Sequence, residues 1–96
     1  MHVREATVED IASIRQVAAA AWRVAYRESI PEEAIEAGVE HWYSDPVVRM
    51  ELSNPGTEIR VAETEGSIVG FVHANTSGPV PTILRLHADP AHRAAE

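Results

Sequence analysis

Cysteine is absent from this chain of 96 residues, which excludes disulfides, thiolate metal sites and a cysteine nucleophile. Lysine is absent as well, because all eight basic residues are arginine. Aspartate and glutamate number fifteen, and the formal net charge is −7. An acidic chain repels phosphate backbones, so the composition predicts that nucleic acid is not a partner.

Long hydrophobic runs are also absent. No stretch reaches about 18 apolar residues, which predicts no transmembrane helix and no membrane partner. The first residues, Met-His-Val-Arg-Glu-Ala, lack the apolar core of a signal peptide. A hydrophobic content of 45% is that of a folded globular chain. These features predict one cytoplasmic domain over residues 1–96.

Apolar residues in the first half recur at spacings of three and four, which predicts helices. Thr7-Val8-Glu9-Asp10 has a capping-box pattern, and an apolar stripe begins at Ile11. Pro31 ends the first helix and opens a second, which Asp45-Pro46 interrupts. The predicted elements are a short strand and two helices, at residues 3–6, 8–28 and 31–52.

After Asn54-Pro55-Gly56 the apolar period changes to two, the spacing of strands. Glu65-Gly66 fits a two-residue hairpin turn, and Gly70 indicates a bulge or a close backbone approach. Alternation along the strand after the turn predicts two sides, one with Val69, Phe71 and His73 and the other with Ile68, Gly70 and Val72. The predicted strands lie at 58–64, 67–75 and 82–88. The order β-α-α-β-β-β predicts an α+β fold.

Four stretches, in this order, resemble motifs of the GNAT superfamily of acyl-CoA-dependent N-acyltransferases. Val3 to Ile11 resembles the opening strand and first helix of that fold. Ala21 to Glu33 is similar to a Trp-Arg-x-x-Tyr-Arg pattern that precedes Leu/Ile-Pro. Val61 to Val72 resembles the hairpin of the second and third strands. The fourth stretch resembles the approach to a glycine-rich loop, and it reads Leu86-His-Ala-Asp-Pro-x-His-Arg93. The resemblance covers nearly all of the chain and implies the N-terminal part of a GNAT fold.

The resemblance implies transfer of an acetyl group from acetyl-CoA to an amine on a small molecule or a peptide. In the family, the fourth strand pairs with the pantetheine arm and a backbone N–H polarises the thioester. Acetyl-CoA contacts are thereby implied for Leu86, His87 and Ala88, and for Arg93 after the strand. The printed sequence stops before the loop that holds the pyrophosphate. We therefore expect a partial domain that binds acetyl-CoA weakly and lacks full activity alone.

Three side chains are candidates for the site of this reaction. Trp22 and Tyr26, one helical turn apart, match the region that lines the acceptor cleft in the family. Packing in the core is the alternative for both. His87 is the catalytic candidate, because an imidazole near the thioester can relay a proton near neutral pH. A half-buried strand histidine without a chemical role is the alternative.

Other polar residues have simpler interpretations. Arg23 and Arg27 either attract an anionic group of the acceptor or pair with Glu28 or Glu32. The five histidines show no ligand spacing, which predicts no metal site.

Two further function classes stay open. A non-catalytic α+β fragment would act as an interaction module that pairs through its open last strand. A small-ligand domain would hold an acyl group between splayed strands without reacting. The last strand is expected to have an unpaired edge and a poorly covered face, formed by Leu84, Leu86 and Ala88. We therefore expect a homodimer, a missing C-terminal half or aggregation.

Overall fold

The computed structural model describes residues 1–90, which form a four-stranded antiparallel sheet and three α-helices. In chain order the elements are β1 (His2–Glu5), a 3-10 turn (Val8–Asp10), α1 (Ile11–Tyr26), α2 (Glu32–Tyr43), α3 (Asp45–Ser53), β2 (Thr57–Thr64), β3 (Ser67–Asn75) and β4 (Thr82–Ala88). The predicted order and the α+β class are confirmed. The second predicted helix consists of α2 and α3, as the interruption at Asp45-Pro46 indicated.

Local chemistry sets the helix ends. The Tyr26 carbonyl accepts hydrogen bonds from the N–H groups of Ser29 and Ile30, both at 2.9 Å. This turn ends α1 two residues before the predicted boundary. Ser44 is extended, with φ −61° and ψ 156°, and therefore separates α2 from α3. Its hydroxyl accepts from the Val47 N–H at 3.4 Å and caps α3.

The sheet has the order β1-β2-β3-β4, and each neighbouring pair is antiparallel. Glu65 and Gly66 join β2 to β3 with φ values of 52° and 80°. Positive φ at both central residues is the geometry of a type I′ turn, which matches the twist of the flanking strands. The predicted hairpin is confirmed.

A bulge in β3 changes which side chains share a face. Ala62 pairs with Gly70 and Glu63 pairs with Ile68, so Val69 is an extra residue in the strand. Ile68 therefore packs against the core, whereas Val69 lies on the opposite face beside Val72. The predicted sides of Ile68 and Val69 were wrong, because strict alternation does not allow for an inserted residue.

Gly70 lies directly after the bulge, at the point where β3 meets β4. A Cβ atom there would lie 3.1 Å from the carbonyl oxygen of His87. Gly70 predicted a bulge or a close backbone approach, and both are present at this position.

The hydrophobic core lies between one face of the sheet and the three helices. Its buried members are Ile11, Ile14, Val17, Ala18, Ile35, Val39, Tyr43, Val48, Ile59, Val61 and Phe71. On this helix-facing side, Phe71 pairs with His87 and His73 pairs with Arg85 across β3 and β4. The register therefore carries two polar side chains of β4 to the edge of the core.

The outer face of the sheet has no covering helix among residues 1–90. Leu84 and Leu86 are 50% and 67% exposed, while Ala88 is half-buried. The predicted exposure of the two leucines is confirmed. Within the described part of the chain, no helix is long and apolar enough to cross a membrane.

Candidate functional site

A cavity of about 510 Å³ lies where the C-terminal turns of α1 and α2 meet β4. We call it the aromatic cavity; its lining residues are Ala21, Trp22, Ala25, Tyr26, Trp42, Tyr43, Arg85 and His87. Its volume is in the range of small-molecule sites. The helix spacing and the strand register therefore bring Trp22, Tyr26 and His87, three of the predicted site residues, to one place.

Trp22 packs partly in the core and partly lines the aromatic cavity, and its contact with an acceptor stays a prediction. Its ring packs against the core and stands edge-on to Tyr43, with centroids 6.4 Å apart. A Cβ at Gly38 would collide with the indole, so glycine allows α2 to approach α1 at this ring. Trp22 is half-buried, and its remaining surface forms cavity wall.

Tyr26 lies at the mouth of the aromatic cavity and is 45% exposed. Its ring stands edge-on to that of Trp22, with centroids 5.7 Å apart. Trp42, on α2, is 48% exposed and forms another part of the wall. A core role for Tyr26 is contradicted by this exposure, and its place is the cavity wall.

Arg85 supplies the positive charge of the wall. Its guanidinium carbon lies 5.0 Å from the Tyr43 ring centroid and 5.7 Å from that of Trp42. A cation over aromatic faces is attracted by their quadrupoles. The Arg85 Nη1 also lies 3.5 Å from Glu51 Oε1 on α3. The guanidinium is thus held between two rings and one carboxylate.

Glu51 is in turn fixed by a buried histidine. His73 Nδ1 lies 3.1 Å from Glu51 Oε2, and His73 Nε2 is buried without a hydrogen-bond partner among the described residues. Burial lowers the pKa of His73, the Glu51 charge opposes this, and Arg85 adds to it. Neutral His73 then donates its Nδ1–H to Glu51. We call Arg85, Glu51 and His73 the Arg85 cluster.

His87 faces the same cavity from the next inward position on β4. Its ring centroid lies 5.5 Å from that of Phe71 and 6.2 Å from that of Tyr43. Burial is the main cause of a lowered pKa for His87, and the Arg85 charge adds to it. The imidazole is therefore neutral near pH 7 and has a nitrogen lone pair that can take a proton.

Tyr43 forms the floor of the cavity. Burial raises the pKa of its hydroxyl, and the Arg85 charge only partly offsets this. Tyr43 consequently keeps its proton at neutral pH and offers a hydrogen-bond donor to the cavity.

The backbone of β4 is paired on one side only within residues 1–90. Leu86, His87 and Ala88 pair with Val72, Phe71 and Gly70 of β3, and no other described strand pairs with β4. A second cavity of about 280 Å³ touches the same three residues from the outer face. Of the predicted cofactor residues, His87 lines both cavities, whereas Leu86 and Ala88 line the outer one. Arg93, the fourth, lies outside the described residues.

Ion pairs account for part of the remaining predictions. Arg23 Nε donates to Glu32 Oε1 at 2.7 Å, so the pairing interpretation is confirmed for Arg23. Arg27 is exposed, and its role stays a prediction. No group of three or more potential metal ligands occurs within residues 1–90.

The sequence did not identify the Arg85 cluster as part of the site. A signal was present, because His73 and Arg85 occupy inward positions next to Phe71 and His87 on their strands. Charged or titratable side chains at inward strand positions need partners. Their partner, Glu51, comes from α3 and could not be identified without the packing of that helix.

No protein-family model matches the sequence, and no curated protein matches it. Several solved structures, in contrast, match the chain. The chain is similar to the Paia N-acetyltransferase of Thermoplasma acidophilum in complex with coenzyme A, with 24% identity and a TM-score of 0.85 over 95% of this chain and 60% of that one. A GCN5-related N-acetyltransferase of Rhodopseudomonas palustris has 22% identity and a TM-score of 0.68, over 94% and 53%. The aminoglycoside 6'-N-acetyltransferase of Enterococcus faecium has 16% identity and a TM-score of 0.56, over 97% and 46%.

These likenesses establish the fold. Identities of this size carry no statement about substrate, and the chain spans about half to three fifths of the length of the structures it matches. The predicted resemblance is confirmed at that level: residues 1–90 have the architecture of the N-terminal part of a GNAT domain.

Proposed function

We propose that this chain is a single partial GNAT domain, and that it serves transfer of an acetyl group from acetyl-CoA to an amine. One observation carries the proposal: the aromatic cavity directly adjoins β4 at His87. In the fold that the chain resembles, this strand holds the acyl-CoA. A similar structure was solved in complex with coenzyme A, which supports acetyl-CoA as the co-substrate.

The reaction needs an attacking amine, a polarised thioester and a route for one proton. The amine nitrogen attacks the carbonyl carbon, a C–N bond forms, the C–S bond breaks and the thiolate takes a proton. We assign proton removal from the acceptor ammonium to His87, whose lowered pKa leaves it neutral at pH 7. The backbone of β4 at Leu86, His87 and Ala88 is assigned to the pantetheine arm.

Trp22 and Tyr26 are assigned to the acceptor. Both line the aromatic cavity, and neither is fully buried. A ring that contacts substrate can be changed without loss of folding, provided that the core beneath it stays intact. Tyr26, with 45% of its surface exposed, meets that condition best.

The test measures release of the coenzyme A thiol with a panel of amines at saturating acetyl-CoA. His87→Gln is expected to lower turnover by about 10²-fold or more, the usual range for loss of a general base. His2→Gln is the matched control, because His2 is exposed on β1 and lines neither described cavity. Tyr26→Phe is expected to lower turnover while the unfolding curve stays unchanged. Equal activity of His87→Gln and wild type would remove His87 from the mechanism.

Acetyl-CoA is expected to bind this chain weakly, because a net charge of −7 repels a polyanionic cofactor. Isothermal titration calorimetry measures the affinity directly. Weak binding that strengthens with added salt agrees with this electrostatic cause. Micromolar binding at low salt would contradict it.

A second candidate function is self-association through β4, which the exposure of Leu86 and the unpaired strand edge among the described residues favour. The occupant would be a second copy of the chain, paired edge to edge. Sedimentation velocity at several concentrations tests this. A concentration-dependent dimer that Leu86→Lys abolishes supports it, and a sharp monomer at every concentration rejects it.

A further inference from the structure

Among the residues that the structure describes, no carboxylate lines the aromatic cavity. Four aromatic residues, two alanines, Arg85 and His87 make up the described lining. The hydroxyl of Tyr43 and the guanidinium of Arg85 are donors, and the formal charge that this lining carries is positive. A wall of this kind matches a ligand that presents a hydrogen-bond acceptor or an anion.

Arg85 has donors left for such a ligand besides those that face Glu51 and the Tyr43 hydroxyl. Among the described residues, Glu51 is the one carboxylate within 4.0 Å of its guanidinium, and that contact is long, at 3.5 Å through Nη1. A guanidinium has five N–H donors and can hold a carboxylate through two of them. Glu51 does not line the aromatic cavity, so it holds Arg85 from the rear.

The position of Arg85 also disfavours a polycation. Four aromatic rings could in principle bind an ammonium group. Arg85 already lies over the rings of Trp42 and Tyr43, and a second cation there would meet its charge. This local repulsion opposes the attraction that the overall charge of −7 exerts on cations. Distances within the cavity are short, and solvent screens the charges on the outer surface. The charge of Arg85 therefore determines that a polycation is disfavoured in the cavity.

We propose, on the basis of the acetyl-transfer function above, that the acceptor is a small amine that also carries a carboxylate and an aromatic or large apolar group. Arg85 binds the carboxylate, and Trp22 and Tyr26 contact the apolar group. The amine then faces His87, which lies at the β4 side of the same cavity. The class is that of amino acids with large apolar side chains.

Both tryptophans of the chain, Trp22 and Trp42, line this cavity, so intrinsic fluorescence reports its occupancy without any acetyl transfer. The probes are L-phenylalanine, phenethylamine, which lacks only the carboxylate, and spermidine. L-Phenylalanine is expected to bind at least about tenfold more tightly than phenethylamine, since a charge-assisted hydrogen bond is typically worth that ratio. Spermidine is expected to bind most weakly. Equal binding of the first two, tightest binding of spermidine, or no binding of L-phenylalanine would overturn the proposal.

Two variants test whether Arg85 causes the preference for a ligand with a carboxylate. Arg85→Gln is expected to abolish the preference for L-phenylalanine over phenethylamine. Arg49→Gln is the matched control, because Arg49 also pairs with a carboxylate, Asp45, but is exposed on α3. Loss of the preference in Arg49→Gln as well would contradict the assignment. The comparison of probes on the wild-type chain stands even if Arg85→Gln does not fold.

The transfer assay separates this inference from the function on which it rests. Acetylation of amines regardless of a carboxylate would sustain the transferase function and reject the acceptor class. Arg85-dependent binding of L-phenylalanine without acetylation would sustain the ligand class and reject the transferase.

Discussion

Two arginines on the helix-facing side of the sheet show how differently the same residue type is used. Arg4 on β1 donates to both carboxylate oxygens of Asp10, at 2.8 and 3.0 Å, and lies 3.5 Å from Glu63. Arg85 on β4 has one carboxylate contact among the described residues, at 3.5 Å, and two aromatic rings beneath it. Arg4, Asp10 and Glu63 form what we call the closed cluster, whereas the Arg85 cluster opens into the aromatic cavity.

The closed cluster has an evident structural task. Asp10 Oδ2 also accepts the Thr7 N–H at 2.8 Å, so Arg4 and Thr7 together fix the start of the first helical segment. At the other edge of the sheet, the Arg85 cluster leaves donors available and borders a space that a small molecule can fill. An arginine–carboxylate pair therefore does not itself indicate a site; unused donors beside a cavity do.

The largest effect on stability is expected when the closed cluster is broken. Asp10→Asn keeps the shape but removes the charge that Arg4 and the Thr7 N–H need, at a cost of roughly 1–3 kcal/mol in the free energy of unfolding. Urea denaturation measures it. Glu9→Gln is the control, because Glu9 is an exposed neighbour in the same turn. Equal losses for both variants would mean that the cluster is not a structural element.

A similar or slightly smaller loss is expected from Gly38→Ala. The new Cβ collides with the indole of Trp22, and overpacking typically costs about 1–3 kcal/mol, partly offset by the better helix propensity of alanine. Denaturation of Gly38→Ala, Trp22→Phe and the double variant forms a cycle. The cost of the alanine should vanish in the Trp22→Phe background, because a phenyl ring is smaller than an indole. A cost that persists in the double variant would place the strain elsewhere.

Breaking the Arg85 cluster is expected to lower the free energy of unfolding less than breaking the closed cluster does. Glu51→Gln leaves the Arg85 stacking over its rings intact and keeps a side-chain oxygen that can accept from His73 Nδ1. It removes the charge of a long ion pair with Arg85, so the free energy of unfolding should fall by under about 1 kcal/mol. The binding of L-phenylalanine should change more than stability does, because Arg85 loses its support. A loss as large as that of Asp10→Asn would make the two clusters equivalent and refute the contrast between them.

The smallest expected effect is the dependence of stability on pH, which again distinguishes the Arg85 cluster from the closed cluster. Burial lowers the pKa of His73 in the folded chain. The contribution of His73 to the free energy of unfolding is therefore complete above its unfolded pKa of about 6.5 and declines as the pH falls through its native pKa. The Arg4 contact lowers the pKa of Asp10, so its contribution is lost only below about pH 4. Unfolding curves across pH should therefore decline in two stages. His73→Phe should reduce the earlier stage, to which His87 also contributes because burial lowers its pKa as well, and Asp10→Asn should remove the later stage. An earlier stage that His73→Phe leaves unchanged, or a later stage that Asp10→Asn leaves unchanged, would contradict this assignment.

Local sequence signals predicted most of the fold. The Glu65-Gly66 turn, the break at Ser44 and the strand periods depend on neighbouring residues only, and each was predicted or nearly so. Gly70 indicated a bulge or a close backbone approach, and a bulge lies beside it, at Val69. The effect of the bulge on which side chains share a face was missed, because the extra residue can be located only against the pairing partner. Trp22 could not be assigned to core or cavity, since its contact with Gly38 joins two helices.

The candidate site was predicted in part for the same reason. Trp22, Tyr26 and His87 were identified through residue type and resemblance, and the structure brings them to one cavity. Arg85 and Glu51 depend on the β3–β4 register and on the packing of α3, which no local pattern contains.

The most direct test of the account maps where L-phenylalanine binds to the ¹⁵N-labelled chain by nuclear magnetic resonance. Amide shifts are expected to concentrate at residues 21–26, 42–43 and 85–87, around the aromatic cavity. Residues near Arg4 and Asp10 should stay unchanged. Shifts centred on that closed cluster or on the outer face of the sheet, or no shifts at all, would contradict the claim that the Arg85 side of the sheet is the binding site.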